Sequence, residues 1–140
     1  FFGFIPISSK KLNKLNEKKF KLACNRINHR GFTSETVSHK GALLYHTLLP
    51  LVNSQVTTKQ PFIYEESVTL FNGQIYNWKE IYSKYKKYFF SKPNSDTEVI
   101  SVLLNKIGEN ILNEFDGMFA ISFIKFQPNE TQLLLSRLSF

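Results

Sequence analysis

Strand-like segments in this 140-residue sequence occur in groups, and helix-like segments separate the groups instead of following every strand. Runs rich in Phe, Ile, Val and Leu predict strands at residues 1–7, 42–52, 66–71, 118–126 and 132–137. Amphipathic patterns predict helices at residues 18–27, 78–85 and 96–106, and a short helix or turn at 111–115. A parallel sheet requires strict alternation of strands and helices, so this order predicts an α+β protein with antiparallel sheets and helices outside them.

Local polar signals set the ends of several predicted elements. Ser95 followed by Glu98 has the spacing of a capping box, which predicts that a helix begins at residue 96. Gly31 is expected to end the first helix. Asn72-Gly73 is interpreted as a turn that closes the strand at 66–71. Residues 127–130 are expected to connect the last two strands.

Charge and composition narrow the classes of function. The formal net charge is +7, and lysines greatly outnumber arginines among the 18 basic residues. Arginine is the usual residue for bidentate recognition of phosphates and bases, so the lysine clusters at residues 10–21 and 84–87 favour a solvated surface over a nucleic-acid interface. A basic nucleic-acid-binding module remains the remote alternative. No apolar run reaches the roughly 20 residues that span a bilayer, so no membrane partner is expected.

One cysteine, Cys24, is present, which excludes an internal disulfide and favours a reducing, cytoplasmic location. Cys24 falls on the apolar side of the first predicted helix, so it is interpreted as a small core residue and not as a nucleophile. The three histidines, at positions 29, 39 and 46, lie on different predicted elements. No metal site is therefore expected.

Short motifs recur in a specific order along nearly the whole chain. They are FFGFI at residues 1–5, HRG at 29–31, YH at 45–46, QPF at 60–62, FNGQIYN at 71–77, SDTEV at 95–99, FDGMFAISF at 115–123 and LLSR at 134–137. In this order they resemble the glutamine amidotransferase domain of asparagine synthetases, which is of the class II or N-terminal-nucleophile type. The resemblance implies one domain over residues 1–140 with a four-layer αββα sandwich of two stacked antiparallel sheets.

The resemblance also implies roles for individual residues. In that family an N-terminal cysteine attacks the side-chain amide of glutamine, and its own α-amino group acts as the base. Asn72 would supply a side-chain donor and Gly73 a backbone N–H to the developing oxyanion. Asp96 would pair with the α-ammonium group of the substrate. These residues are expected to line one pocket near residues 1–3.

The sequence departs from the family pattern at three places. The family begins with Cys-Gly; in one alignment this pair precedes residue 1, and in the other Phe2 occupies the position of the nucleophile. Leu48 stands where the family often has an arginine that would hold the glutamine carboxylate. Gln74 replaces a glutamate of the family motif, so one negative partner of the substrate ammonium becomes neutral.

Three hypotheses follow. The first is an amidotransferase domain that hydrolyses glutamine and supplies ammonia to an ATP-dependent amidating domain, with its nucleophile missing from the sequence as given. The second is a degenerate, non-catalytic domain that acts as a scaffold or docking partner of a synthetase, and the third is the basic binding module. The expected partners are glutamine and a synthetase domain or subunit, with a homodimer left open. No cofactor is expected in this domain, because ATP and magnesium would belong to the synthetase.

Overall fold

The computed structural model describes residues 1–5, 14–31, 33–48 and 58–138. The chain divides into two compact units, Phe1–Gln55 and Val56–Phe140. Each unit contains one antiparallel sheet with helices. The predicted α+β class with two antiparallel sheets is therefore confirmed, and it is consistent with an N-terminal-nucleophile amidotransferase domain.

The first unit contains three strands and one long helix. Strand β1 spans Phe2–Phe4, helix α1 spans Lys14–Ile27, β2 spans Thr33–His39 and β3 spans Ala42–Leu48. The strand order is β1-β3-β2, and both pairs are antiparallel. A 3-10 turn at Asn28–Arg30 follows α1.

The core of the first unit forms where one face of α1 meets apolar residues of the sheet. Buried Phe20 and Cys24 of α1 contact Tyr45 of β3, with Phe2, Phe4, Ile27 and Leu43 packed around them. The interpretation of Cys24 as a core residue is confirmed, because its side chain is buried in this cluster. Leu22 of the same helix is more than half exposed.

The second unit contains a four-stranded antiparallel sheet with two helices inserted in the chain between its central strands. Strand β4 spans Phe62–Tyr64, β5 spans Ser67–Ile75, helix α2 spans Trp78–Lys84, α3 spans Asp96–Lys106, β6 spans Gly117–Phe126 and β7 spans Thr131–Leu138. The strand order is β4-β5-β6-β7. A 3-10 turn at Glu109–Glu114 leads into β6.

The core of the second unit forms between the sheet and the helices. Alternate residues of β5 and β6, among them Phe71, Ile121 and Phe123, are buried with Ile100 and Leu103 of α3. Ser95 caps α3 as predicted, because its side-chain oxygen accepts a hydrogen bond from the Glu98 N–H at 3.3 Å. The Glu98 carboxylate completes the cap one residue earlier than a standard capping box, at the N–H of Asn94 (3.1 Å).

The interpretation of Asn72-Gly73 as a turn was wrong. Both residues lie inside β5, where Asn72 pairs with Ala120 and Gly73 with Phe119 of β6. The turn propensity of the two residues is overridden because the ladder between β5 and β6 continues without interruption to Ile75. Strands β2 and β4 are absent from the strands that the apolar runs predict.

Within the described residues, the first predicted strand spans Phe2–Phe4 and the second spans Ala42–Leu48. Residues 6–7, 49–52 and the part of the lysine cluster before residue 14 lie outside the described residues. In the described part of the chain, no helix combines the length and apolar character that crossing a membrane requires.

Candidate functional site

The edge of β5 that faces away from β6 is only partly covered by β4. Strand β4 pairs with β5 from Ser67 to Thr69, whereas β6 pairs with β5 as far as Ile75. Beyond the end of β4, two side chains accept hydrogen bonds from backbone N–H groups of β5. The side-chain oxygen of Gln60 accepts the Phe71 N–H at 2.7 Å, and a carboxylate oxygen of Asp96 accepts the Ile75 N–H at 3.1 Å.

Gly73 lies midway between these two capped positions. Successive N–H groups of a strand alternate between its two edges, so the Gly73 N–H faces the same edge as those of Phe71 and Ile75. Residues two apart in a strand are separated by roughly 6.6–6.8 Å, which leaves room for a ligand atom at Gly73 between the two protein acceptors. The edge therefore presents a backbone donor at the position where the sequence predicted one.

Asn72 and Gln74 flank Gly73 and are exposed. Side chains alternate across a strand, and Phe71 and Ile75 pack into the core with the helices. Asn72 and Gln74 consequently project from the opposite face of the sheet. The Asn72 amide can thus reach solvent beside the Gly73 backbone.

Position 73 requires a glycine because its backbone φ is positive and because the backbone of β6 lies very close to it. Its φ is 139°, and a Cβ atom would lie 2.1 Å from the carbonyl oxygen of Met118. Gly117 on β6 has the reciprocal arrangement, since its φ is 156° and its Cβ would lie 2.1 Å from the carbonyl oxygen of Gln74. The two glycines together allow the backbones of β5 and β6 to approach closely beside the candidate donors.

Asp96 begins α3 and places its half-buried carboxylate beside the end of β5. One carboxylate oxygen accepts the Thr97 N–H at 2.8 Å, and the other accepts the Ile75 N–H. Burial raises the pKa of Asp96, and these hydrogen bonds oppose the shift. A carboxylate has about four lone-pair sites, so it can still accept hydrogen bonds from a cationic ligand.

Asn77, the last residue of the FNGQIYN motif, holds the loop before β6. Its side-chain nitrogen donates to the Glu114 carbonyl at 2.8 Å, and its side-chain oxygen accepts the Asp116 N–H at 3.0 Å. The Tyr76 N–H donates to the Asp116 carbonyl at 2.7 Å. These bonds fix the loop that delivers Gly117 to its position opposite Ile75.

In the first unit, the cationic residues Arg30 and Lys40 lie at different distances from Leu48. Leu48 ends β3, and Gly31 lies so close to it that a Cβ on Gly31 would be 2.8 Å from the Leu48 backbone nitrogen. Arg30 directly precedes Gly31 and is therefore near Leu48. Lys40 lies in the turn at the other end of β3, about 20 Å away at ~3.3 Å per residue.

The first strand also lies near Arg30. The charge of Arg30 acts on the backbone nitrogen of Phe1, which is half-buried directly ahead of β1. Phe2 pairs with Tyr45 on β3 and stacks on Phe20, with ring centroids 5.0 Å apart. Phe2 therefore acts as a packing residue, and no chemical group at that position could attack a carbonyl.

Cys24 and the histidines form no candidate centre in the structure. Burial raises the pKa of the Cys24 thiol, which disfavours the reactive thiolate. Among the residues that the structure describes, no group of three or more His, Cys, Asp or Glu side chains is arranged to hold a metal ion.

Comparison with known proteins decides the family. A family model described as a glutamine amidotransferase domain matches residues 3–140, which include both units. The chain belongs to this family. The match confirms the resemblance on which the sequence-based site was built, namely an asparagine synthetase-like amidotransferase domain.

The relatives of this amidotransferase domain are much longer proteins. It is 30% identical over 138 residues to a glutamine-hydrolysing asparagine synthetase of Zea mays, with 96% of this chain and 22% of the relative covered. It is 36% identical over 93 residues to a glutamine-hydrolysing asparagine synthetase of Bacillus subtilis, with 65% of this chain and 12% of the relative covered. A glutamine-hydrolysing asparagine synthetase of Triphysaria versicolor is 32% identical over 119 residues, with 82% of this chain and 20% of the relative covered. The chain thus spans about a fifth or less of each.

The structure of the amidotransferase domain brings together part of the predicted site. Asn72, Gly73 and Gln74 follow one another on β5, and Asp96 is hydrogen-bonded to the same strand. The predicted proximity of this group to Phe2 concerns the other unit and stays a prediction. Sequence reasoning assigned no role to Gln60, although this residue begins the QPF motif at residues 60–62. That motif was the available signal.

Proposed function

We propose that this domain binds L-glutamine and supplies ammonia from its side-chain amide to an ATP-dependent synthetase domain or subunit. The observation that carries the proposal is the edge of β5. Its N–H groups at Phe71 and Ile75 are occupied by side chains of the protein, and Gly73 lies between them. The printed names of the relatives support glutamine as the substrate class, since they are glutamine-hydrolysing enzymes.

The proposed oxyanion site consists of the Gly73 N–H and the Asn72 side-chain amide. Attack on the glutamine amide converts its carbonyl oxygen into an oxyanion, which needs fixed donors within hydrogen-bonding distance. The Gly73 N–H is fixed by the strand, and the Asn72 amide lies next to it on the exposed face. Loss of one such donor typically lowers kcat by about 10²–10³-fold.

Asp96 is the proposed partner of the substrate α-ammonium group. Its carboxylate is anchored by two backbone N–H groups and retains accepting capacity. Gln74 is neutral where the family pattern has a glutamate, so Asp96 carries the negative charge in this part of the site. Arg30 is the proposed partner of the substrate carboxylate, in place of the arginine that Leu48 replaces.

The proposed nucleophile is the thiol of a Cys-Gly pair ahead of Phe1, with the cysteine α-amino group as the base. Cys24 is unsuited to the role because its thiol is buried and its pKa is raised. Covalent attack by the thiolate would release ammonia and leave a thioester, which water would then hydrolyse to glutamate. ATP and magnesium are assigned to the synthetase partner, and a reducing cytoplasm is the proposed setting.

Ammonia release from L-glutamine tests this proposal. The chain as it stands is compared with one extended by Cys-Gly ahead of Phe1 and with a control extended by Ser-Gly. We expect ammonia only from the Cys-Gly protein, because the extensions differ only in the thiol. Hydrolysis by the unextended chain at a similar rate would contradict the proposed nucleophile.

A second function is favoured by Leu48 and Gln74. Each change removes a charged partner of glutamine that the family pattern supplies. A domain with these changes could serve as a non-catalytic scaffold for a synthetase. Failure of the Cys-Gly protein to hydrolyse glutamine, even after Leu48→Arg and Gln74→Glu, would support this second function over the first.

A further inference from the structure

Gln60 is a buried amide that connects the two segments of the proposed site. Its side chain is 7% exposed. Its oxygen accepts the Phe71 N–H at 2.7 Å, and its nitrogen lies 3.4 Å from the Thr97 hydroxyl oxygen, to which it donates. Phe71 directly precedes Asn72, and Thr97 directly follows Asp96. Each end of the amide therefore holds a neighbour of a proposed functional residue.

Gln60 and Asp96 both accept hydrogen bonds from the same edge of β5, but they differ in whether their side chains can also bind a ligand. Asp96 contacts β5 through its carboxylate, which must also bind the substrate in the proposed function. Gln60 has its oxygen and nitrogen both engaged with protein groups and is almost inaccessible to solvent. Its bonds tie β5 to the first turn of α3 on the side of Gly73 opposite the Asp96 contact.

We propose that Gln60 is a positioning residue, which sets the separation between the Asn72–Gly73 donors and the Asp96 carboxylate by tying β5 to the first turn of α3. This inference rests on the proposed glutamine site. Without Gln60, the start of α3 would keep the Asp96 hydrogen bond to this edge of β5 but would lose the connection through the Gln60 amide. The carboxylate would then fluctuate relative to the Gly73 N–H, and the affinity for glutamine would fall.

Asn105 provides a matched control for a general effect of removing a buried amide. It is also 7% exposed and lies on α3, but at the opposite end of the helix from Asp96. Its side-chain nitrogen donates to the Ser67 hydroxyl at 3.0 Å, so it too connects α3 with β5. Gln60→Met and Asn105→Leu each replace one such amide by an apolar side chain of similar size.

Hydrogen exchange of the Ile75 amide, measured by NMR, tests the positioning directly. This amide donates to Asp96 and reports how firmly the carboxylate is held. Rates are taken relative to the slowest-exchanging amides of β6, so that global unfolding cancels. We expect Gln60→Met to accelerate Ile75 exchange about tenfold, as loss of a hydrogen bond of ordinary strength would. Asn105→Leu should leave the relative rate unchanged.

Substitutions at Thr97 provide a milder test if Gln60→Met does not fold. Thr97→Val removes the hydroxyl that accepts from Gln60 but leaves the Phe71 bond intact, whereas Thr97→Ser retains a hydroxyl. We expect Thr97→Val to accelerate Ile75 exchange about threefold, below the effect of a full hydrogen bond, and Thr97→Ser to restore the parent rate. The proposal is overturned if neither Gln60→Met nor Thr97→Val changes the relative rate, or if Asn105→Leu changes it equally.

Titration with L-glutamine connects the positioning role to function. If the parent chain binds glutamine, we expect Gln60→Met to raise the Kd for glutamine about tenfold. Asn105→Leu should leave this Kd unchanged. An unchanged Kd in Gln60→Met would overturn the role in substrate binding. If the parent chain shows no glutamine binding, the proposed function fails, and the Ile75 exchange rates alone decide whether Gln60 positions Asp96.

Discussion

Gly73 and Gly117 face each other's strands at the point where the candidate donors lie. Each would place a Cβ atom 2.1 Å from a carbonyl oxygen of the opposite strand, at Met118 and Gln74 respectively. Backbone atoms at this distance cannot be relieved by moving a flexible side chain. The close approach of β5 and β6 therefore depends on both residues being glycine.

We expect Gly73→Ala to destabilise the domain more than Gly108→Ala does. Both glycines have positive φ, but nothing lies within 4 Å of a Cβ added at Gly108. Gly108→Ala therefore isolates the conformational cost, roughly 1–3 kcal/mol, whereas Gly73→Ala adds the collision with β6. Urea unfolding of both variants measures the difference, and equal losses in the free energy of unfolding would contradict the close approach.

The ionised carboxylate of Asp96, which is proposed to bind the substrate, is expected to lower the free energy of unfolding at neutral pH. Burial raises its pKa above the ordinary value of 3.8, so the folded chain binds this proton more tightly than the unfolded chain. Stability therefore falls as pH rises through the interval between the two pKa values, and the cost persists above it. Asp96→Asn removes this cost, but its single side-chain oxygen can accept from only one of the Ile75 and Thr97 N–H groups. The free energy of unfolding of Asp96→Asn, relative to that of the parent, should therefore rise as the pH rises through this interval.

The difference in the free energy of unfolding between Asp96→Asn and the parent should fall as the pH is lowered, because the protonated aspartic acid no longer carries the cost. Urea unfolding of the parent and the variant over a pH series measures this dependence. Glutamine binding by Asp96→Asn should be lost at the same time, because its neutral amide cannot pair with the ammonium group. A difference that does not vary with pH would show that the buried charge does not contribute to it.

At the scale of elements, the junction between β5 and β6 depends on Asn77. The Asn77 side chain makes two hydrogen bonds to the 114–116 loop. We expect Asn77→Ala to lower the free energy of unfolding by about 1–3 kcal/mol, because two backbone groups of the loop lose hydrogen bonds worth about 0.5–1.5 kcal/mol each. Asn113→Ala, at an exposed position of the same segment, should stay within about 0.5 kcal/mol of the parent. Similar effects at the two positions would refute the role of Asn77.

The elements that the sequence predicted well are those with a strong local pattern. Helix α3 combines a capping signal with a long apolar pattern, and β6 is a ten-residue apolar run. Strand β2 was missed because Thr33–His39 is largely polar, and only alternate residues are partly buried. Strand β4 has three residues, too few to show any periodicity.

The candidate site was predictable to the extent that the family motif identifies it. Asn72, Gly73 and Asp96 were found through the motif, whereas local propensity assigned Asn72-Gly73 to a turn. That assignment failed because Gly117, 44 positions further on, accommodates the strand at this point. The contacts of Gln60 with Phe71 and Thr97 are likewise tertiary, and no local pattern contains them.

At the scale of the whole molecule, the match to the family model extends over residues 3–140 and includes the segment around Arg30. Arg30 is the proposed partner of the substrate carboxylate because it adjoins Leu48 through Gly31. We expect Arg30→Gln to raise the Kd for L-glutamine about tenfold or more, the cost of losing a charge-assisted hydrogen bond. Calorimetric titration measures the change.

Lys40→Gln is the matched control, since it removes the same charge at the opposite end of β3. Its Kd for L-glutamine should equal that of the parent. If the two variants bind glutamine equally well, Arg30 does not compensate for Leu48. A gain in affinity from Leu48→Arg in the Arg30→Gln background would show that the two positions serve the same substrate group.

The capped edge of β5 has a further consequence during synthesis of the chain. Ile75 is synthesised before Asp96, so its N–H lacks the Asp96 acceptor until α3 has packed. Unpaired N–H groups along an apolar strand are templates for pairing with another chain. A nascent or partly unfolded molecule that ends before residue 96 would thus expose part of a strand edge that can pair with another chain. In the folded protein the Asp96 carboxylate therefore also protects this edge from aggregation.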